Sequence, residues 1–257
     1  MSSLIVPPVD AMDIGRHWLT VAGAAAGLLA GAWCLTFARN YVQQLESQGA
    51  ADLMCFVRAM RRSLRISRNA DSTRLIDASK WYATGAILLA AGYAMLCTTR
   101  GLDGSVLGPA AAMLMLLALA LIDVRTGLLP DALTYSLLGL GLAWAWAGFG
   151  PGLQIALYGA LIGYGLLYGI CRVAGRLFQK QILGGGDLKL YAALGAWLGP
   201  QALPWIMLAA CASATLYAMW SQRTLSPRGS LAFGPFLAAS GGAILALQPL
   251  LAAWTLR

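Results

Sequence analysis

Two aspartates border apolar segments where a membrane-spanning chain tolerates few charges: Asp123 closes MLMLLALALID, and Asp187 opens a helix in ILGGGDLKLYAALGAWLG. An acid at or inside hydrocarbon is costly to keep, which points to chemistry. Two carboxyls can hydrolyse a peptide bond unaided. The ionised one takes a proton from water while the protonated one polarises the scissile carbonyl. Rival catalytic sets are thin. A single histidine, His17, excludes HExxH, no GxSxG occurs, and a serine–lysine pair has only Lys80, Lys180 and Lys189 to draw on.

The neighbours of the two acids sharpen this reading. An acid ending a run of 17 apolar residues has no capping task at a helix C-terminus, so Asp123 is read as functional. Asp131, after Pro130 and at the start of a span, reads first as an N-terminal helix cap. Gly184, Gly185 and Gly186 permit backbone conformations and close approaches against which a substrate strand could lie, although a glycine run alone is more often an ordinary tight loop. Asp187 at a helix start is expected to ionise more readily than Asp123 at a helix end, with Arg125 offsetting part of that penalty. Lys189 lies two residues past Asp187, points away from it on a helix, and reads as a cation snorkelling toward lipid phosphate. Trp144, Trp146, Trp197 and Trp205 read as core or interfacial belt.

The elements that must position these acids follow from composition. Of 257 residues 59% are hydrophobic and 11% charged, and the mean hydropathy is +0.69. Too little polar surface is present for a soluble globule of this size. The 30 glycines suit close helix packing in lipid, and the apolar runs lack the alternation of an outer-membrane barrel. The fold class is all-α, a polytopic transmembrane helical bundle with about eight spans, at residues 18–38, 81–97, 106–122, 132–149, 152–171, 188–204, 205–221 and 231–256. Alternate loops carry 15 and 3 of the 18 Lys and Arg residues, which makes the face bearing Asp123, Asp131 and Asp187 cytoplasmic. The net charge of +8 is therefore topology and implies no nucleic-acid partner.

Residues 1–80 read as an N-terminal span plus a basic cytoplasmic segment, and residues 81–257 as the core. The start lacks the pattern of a cleaved signal peptide, so the first span is expected to stay attached. Within the polar stretch 39–80, Leu53, Val57, Met60 and Leu64 fall at helical spacing among Arg58, Arg61, Arg62, Arg65 and Arg68. This is an interfacial helix at about 53–68, held either against anionic lipid or against its own protein. The five cysteines are scattered singly and make neither a disulfide framework nor a CxxC zinc signature.

Taken together, ALIDVRTGLLPDALT at 120–134, LGGGDLKLYAALGAWLG at 183–199 and AFGPFLAASG at 232–241 resemble the signature of the bacterial prepilin peptidases, the type IV leader peptidases, over about residues 81–250. The resemblance implies a membrane aspartyl protease of the GxGD type with active-site acids at Asp123 and Asp187 and motif glycines at Gly184 and Gly186. It implies removal of the basic leader of type IV prepilins or pseudopilins, for pilus assembly or protein secretion, at the cytoplasmic face of the inner membrane. Pro130, Asp131, Gly185, Lys189, Phe233, Gly234, Pro235 and Phe236 are carried as site-supporting residues. Many family members bear paired CxxC motifs in the first cytoplasmic loop that bind zinc and accompany N-methylation. Here that loop has only Cys55, so no zinc is expected, and S-adenosylmethionine enters only if methylation is retained. Proteolysis itself needs no cofactor. The alternatives are a related GxGD peptidase for other membrane substrates, or a transporter or assembly protein whose acids bind a cation or proton.

Overall fold

Helix is the only regular structure among the described residues of the computed structural model, which are 9–48, 58–60, 63, 79–100, 104–179, 184–222 and 232–255. The long helices are α1 Val9–Gln48, α2 Ser79–Arg100, α3 Leu107–Thr126, α4 Asp131–Trp146, α5 Leu153–Phe178, α6 Gly185–Leu198, α7 Leu203–Gln222 and α8 Gly234–Thr255. Short 3-10 turns at Gly104–Val106 and Pro200–Ala202 lead into α3 and α7. Seven of the eight expected segments each overlap a single long helix, whereas 188–204 straddles α6, the turn at Pro200–Ala202 and the start of α7. Among the described residues four stretches are long and apolar enough to cross a membrane: Trp18–Leu45, Gly104–Thr126, Leu153–Leu177 and Pro200–Ser221.

The chain is apolar on its outside as well as its inside. Leu161, Ile170 and Leu177 on α5 and Trp205, Leu216 and Trp220 on α7 are exposed, as expected of helices whose outer faces meet lipid rather than water. Inside, small residues let backbones approach. Gly23, Gly27 and Gly31 recur every four residues along α1 and pack on Ala94, Ala90 and Ala86 of α2, so that a Cβ on Gly27 would stand 2.6 Å from the Ala90 Cα.

Helix α6, which carries Asp187, is the most enclosed element: Leu188, Leu190, Tyr191, Ala193, Leu194 and Trp197 are all buried. Gly159 of α5 and Gly195 of α6 face each other with no room for a Cβ on either. Trp197 Nε1 donates to the Leu137 carbonyl of α4 at 3.0 Å, and Tyr191 donates its hydroxyl to the Leu203 carbonyl at 2.7 Å. Three anchors therefore fix the rotation of α6, and with it the direction in which Asp187 points. Trp144 stacks on Trp197, with ring centroids 6.4 Å apart, whereas Trp146 and Trp205 are exposed, so the tryptophans divide between core and rim.

Two boundaries differ from expectation. The segment 188–204 contains a break, because Gly199 takes a left-handed φ of 79° and Pro200 starts a new turn. That Gly-Pro pair is a stop signal that hydropathy alone passes over. Helix α1 runs to Gln48, past the polar boundary at 39. The expected interfacial helix at 53–68 lies outside the described residues except for 58–60 and 63, and Cys55 lies outside them too.

Candidate active site

The sequence DVRTGLLPD makes a four-residue link between two helices. Helix α3 ends at Thr126 because Gly127 adopts a left-handed φ of 63° and donates its N–H to the Asp123 carbonyl at 2.8 Å, a glycine C-cap. Thr126 Oγ1 donates to the Ile122 carbonyl at 2.8 Å and accepts the Leu128 N–H at 3.2 Å, which holds the exit of the link. Pro130 is the N-cap of α4, and its carbonyl accepts the N–H groups of Leu133 and Thr134, each at 3.1 Å. Asp123 thus sits in the last turn of α3 with its side chain buried.

Asp187 is the third residue of α6, whose N-cap is Gly184. The Gly184 amide meets the Asp187 carboxyl, the reach-back contact of an acid three residues after a helix cap. The glycine run is not unusual in its backbone: the left-handed glycines among the described residues are Gly127, Gly148, Gly152 and Gly199, and none belongs to 184–186. What the run supplies is space, and at one position only. A Cβ on Gly186 would stand 2.6 Å from the Cβ of Leu129, one on Gly184 would be in ordinary contact 3.7 Å from Asp187 Oδ2, and one on Gly185 would meet nothing within 4 Å.

The third element arrives from the far end of the chain. The N-cap region of α8 places the Phe233 carbonyl as acceptor for the N–H groups of Phe236 and Leu237, each at 3.1 Å. Gly234, the first residue of α8, turns its amide toward the Asp123 carboxyl. A Cβ there would stand 2.6 Å from Asp123 Oδ2 and 3.3 Å from Leu129 Cδ1. The unfavourable dipole at the end of α3 is thus met by the Gly234 amide at the start of α8. Each carboxyl therefore has a helix N-terminus beside it, a contribution to Asp123 that the expected asymmetry did not include.

Asp123 and Asp187 are 4% and 8% exposed and lie within each other's electrostatic reach. Asp123 Oδ2 and Asp187 Oδ1 are buried without a hydrogen-bond partner among the described residues. A buried carboxyl oxygen left unsatisfied is expensive in a purely structural role. Cys171 of α5 is also close enough to interact with the Asp187 charge. Among the described residues no three His, Cys, Asp or Glu side chains gather as metal ligands would.

Two supporting residues behave differently from expectation. Asp131 is the first residue of α4 and makes no side-chain cap. Instead it pairs with Lys189 Nζ at 2.6 Å, and the same ammonium lies 5.1 Å from the Tyr135 ring centre. Lys189 therefore clasps α6 to α4 in place of reaching for lipid, through a partner that spacing within one helix does not reveal. Phe236 packs on Tyr217 of α7, with ring centroids 5.6 Å apart. Leu129 is the residue that sequence reasoning missed. Its side chain is wedged between Gly186 and Gly234, and its sequence signal is only an apolar residue before Pro130.

A polytopic helical membrane protein whose three helix ends converge on a buried pair of carboxyls is the class that this fold and site define. Residues 110–219 match the family described as the type IV leader peptidase family. Similar proteins include the prepilin leader peptidase/N-methyltransferase of Burkholderia pseudomallei (strain 1026b), 44% identical over 166 residues, which are 63% of this chain and 52% of that one. The proteins of the same name from Dickeya chrysanthemi and Escherichia coli (strain K12) are 43% identical over 148 residues (57% of this chain, 52% of that one) and 40% identical over 164 residues (62% and 71%). The chain spans about half the length of the first of these relatives. No solved structure matches it. The chain belongs to the type IV leader peptidase family.

Proposed function

We propose that this protein is a membrane aspartyl endopeptidase that removes the basic leader peptide from type IV prepilins or pseudopilins at the cytoplasmic face of the inner membrane. The observation that carries this reading is the convergence of Asp123 and Asp187, distant in sequence, as two buried carboxyls that each keep an unpartnered oxygen. The names of its relatives, prepilin leader peptidase/N-methyltransferase, support the substrate class. The excess of Lys and Arg in the loops that carry the acids supports the side of the membrane.

In this mechanism the two carboxyls share one proton, because a charge on one raises the cost of ionising the other in a buried site. The ionised member removes a proton from a water molecule as its oxygen attacks the scissile carbonyl carbon. The protonated member donates to the carbonyl oxygen, giving a gem-diol that collapses with proton transfer to the leaving amine. The amide of Gly234 orients Asp123 and that of Gly184 orients Asp187, so neither carboxyl must be reorganised when substrate arrives. No metal or organic cofactor takes part in this step.

The second activity in the relatives' name would draw on S-adenosylmethionine. The 39–80 segment, which the resemblance associates with methylation, is largely outside the described residues, and we assign to this chain the proteolytic step alone. Co-expression with a type IV prepilin followed by the mass of the product's amino terminus tests the assignment. Loss of a leader-sized fragment is expected, an additional methyl group would reveal the second reaction, and an unprocessed prepilin would contradict the proposal.

A further inference from the structure

Helices α2 and α8 part over α3 and leave an apolar groove of about 630 Å³, the size of a ligand-holding cleft. Its lining runs from Thr84 to Met95 on α2, from Met113 to Val124 on α3 and from Pro235 to Leu247 on α8. Twelve or thirteen residues on each of three helices, rising 1.5 Å from one to the next, span about 17 Å, roughly half of a ~30 Å hydrocarbon layer. Among the described residues no charged side chain lines it, and Thr84 is its one polar side chain.

The groove does not end at random. Its head is formed by Val124 and Pro235, the residues that directly follow Asp123 and Gly234. A helix lying in it would bring the backbone just beyond its own last apolar turn to the Asp123 carboxyl. The α8 wall is built of Ala238, Ala239, Gly242, Ala243 and Ala246, small residues three or four apart that let a second helix approach to backbone distance. A Cβ on Gly242 would be 3.9 Å from the Leu116 side chain, so larger groups at this position project into the groove rather than into the core.

We infer that this groove is the docking site for the apolar transmembrane helix of the substrate, with the cytoplasmic half of that helix between α2 and α8 and its cleavage junction at the Val124–Pro235 end. The inference rests on the proteolytic reading above and names how the same site takes its substrate. The length of the groove sets the register: a junction directly at the cytoplasmic end of the apolar helix reaches Asp123, and one displaced by two helical turns does not.

Photo-crosslinking in inner-membrane vesicles tests this without turnover. A benzophenone amino acid at Ala239, Ala243 or Leu247 is expected to form adducts with a co-expressed prepilin, the site of attachment moving away from the junction from Ala239 to Leu247. The same probe at Tyr164 on α5 or Leu208 on α7, both exposed, is expected to give at least tenfold less adduct. Equal yields from all faces, or adducts with lipid alone from the groove, would overturn the inference. A prepilin that crosslinks in the groove but is never cut would instead contradict the proteolytic reading and leave the docking site standing. As a second arm, Gly242→Phe is expected to raise KM at least tenfold for a full-length prepilin with kcat and thermal stability nearly unchanged. A loss confined to kcat would count against docking at this surface.

Discussion

Gly234→Ala is the most local perturbation of the paired carboxyls. The added Cβ would stand 2.6 Å from Asp123 Oδ2, 3.0 Å from its Cγ and 3.3 Å from Leu129 Cδ1. Ordinary contact begins near 3.4 Å, so the carboxyl oxygen must retreat by about 0.8 Å. With Asp123 only 4% exposed, little free space takes up that movement. A misplacement of about 1 Å at a reacting group costs on the order of 10²-fold, so kcat should fall by roughly 30- to 100-fold with KM little changed. Gly185→Ala is the matched control, because its Cβ would meet nothing within 4 Å, and its activity should stay within about twofold of wild type. The assay is leader removal from a purified prepilin in proteoliposomes, followed by mass, with thermal unfolding of each variant as the check on folding. Wild-type turnover by Gly234→Ala, or an equal loss in Gly185→Ala, would refute the argument that the start of α8 sets the position of Asp123.

Other expectations follow from the same geometry. Gly186→Ala should lose activity because its Cβ would stand 2.6 Å from the Leu129 Cβ; Leu129→Gly in the same chain should restore much of the loss and Leu129→Ala, which keeps the Cβ, should not, as the same cleavage assay would read. Gly127→Ala places a side chain at a φ of 63° and should destabilise by about 1 kcal/mol, seen as a fall in the unfolding temperature. Breaking the ion pair with Lys189→Met should cost at most about 1 kcal/mol, since the Lys189 and Asp131 side chains are 25% and 59% exposed, and any larger loss of turnover at unchanged stability would mark the clasp as a positioning device. Chelation with EDTA should leave leader cleavage unchanged, and a loss restored by zinc would contradict a two-carboxyl mechanism.

Much of this arrangement was legible in the sequence because hydrocarbon imposes strong rules. An acid after 17 apolar residues is conspicuous, and the glycine before Asp187 and the Pro130–Asp131 pair each mark a helix start, so Asp123, Asp187 and the starts of α4 and α6 could be located, though not the break that ends α6 at Leu198. What stayed hidden depends on contacts between distant segments. Nothing near Asp131 in sequence announces Lys189, 58 residues on, so local reasoning made a cap of one and a lipid anchor of the other. The same limit applied to Leu129, whose role exists only because Gly186 and Gly234 leave room for it. The glycine run was legible as a motif, but its meaning was steric, confined to Gly186, and not conformational. The amide that the start of α8 supplies to Asp123, from more than a hundred residues later, was hidden for the same reason.

The central claim is that Asp123 and Asp187 act as one unit. Leader cleavage by Asp123→Asn, Asp187→Asn and the double variant, each folded as judged by thermal unfolding, tests it most directly. Residues that act as a unit are strongly non-additive, so each single variant should fall by at least about 10³-fold and the double variant should be no worse than either. Substantial turnover by either single variant, or losses that multiply in the double, would contradict it.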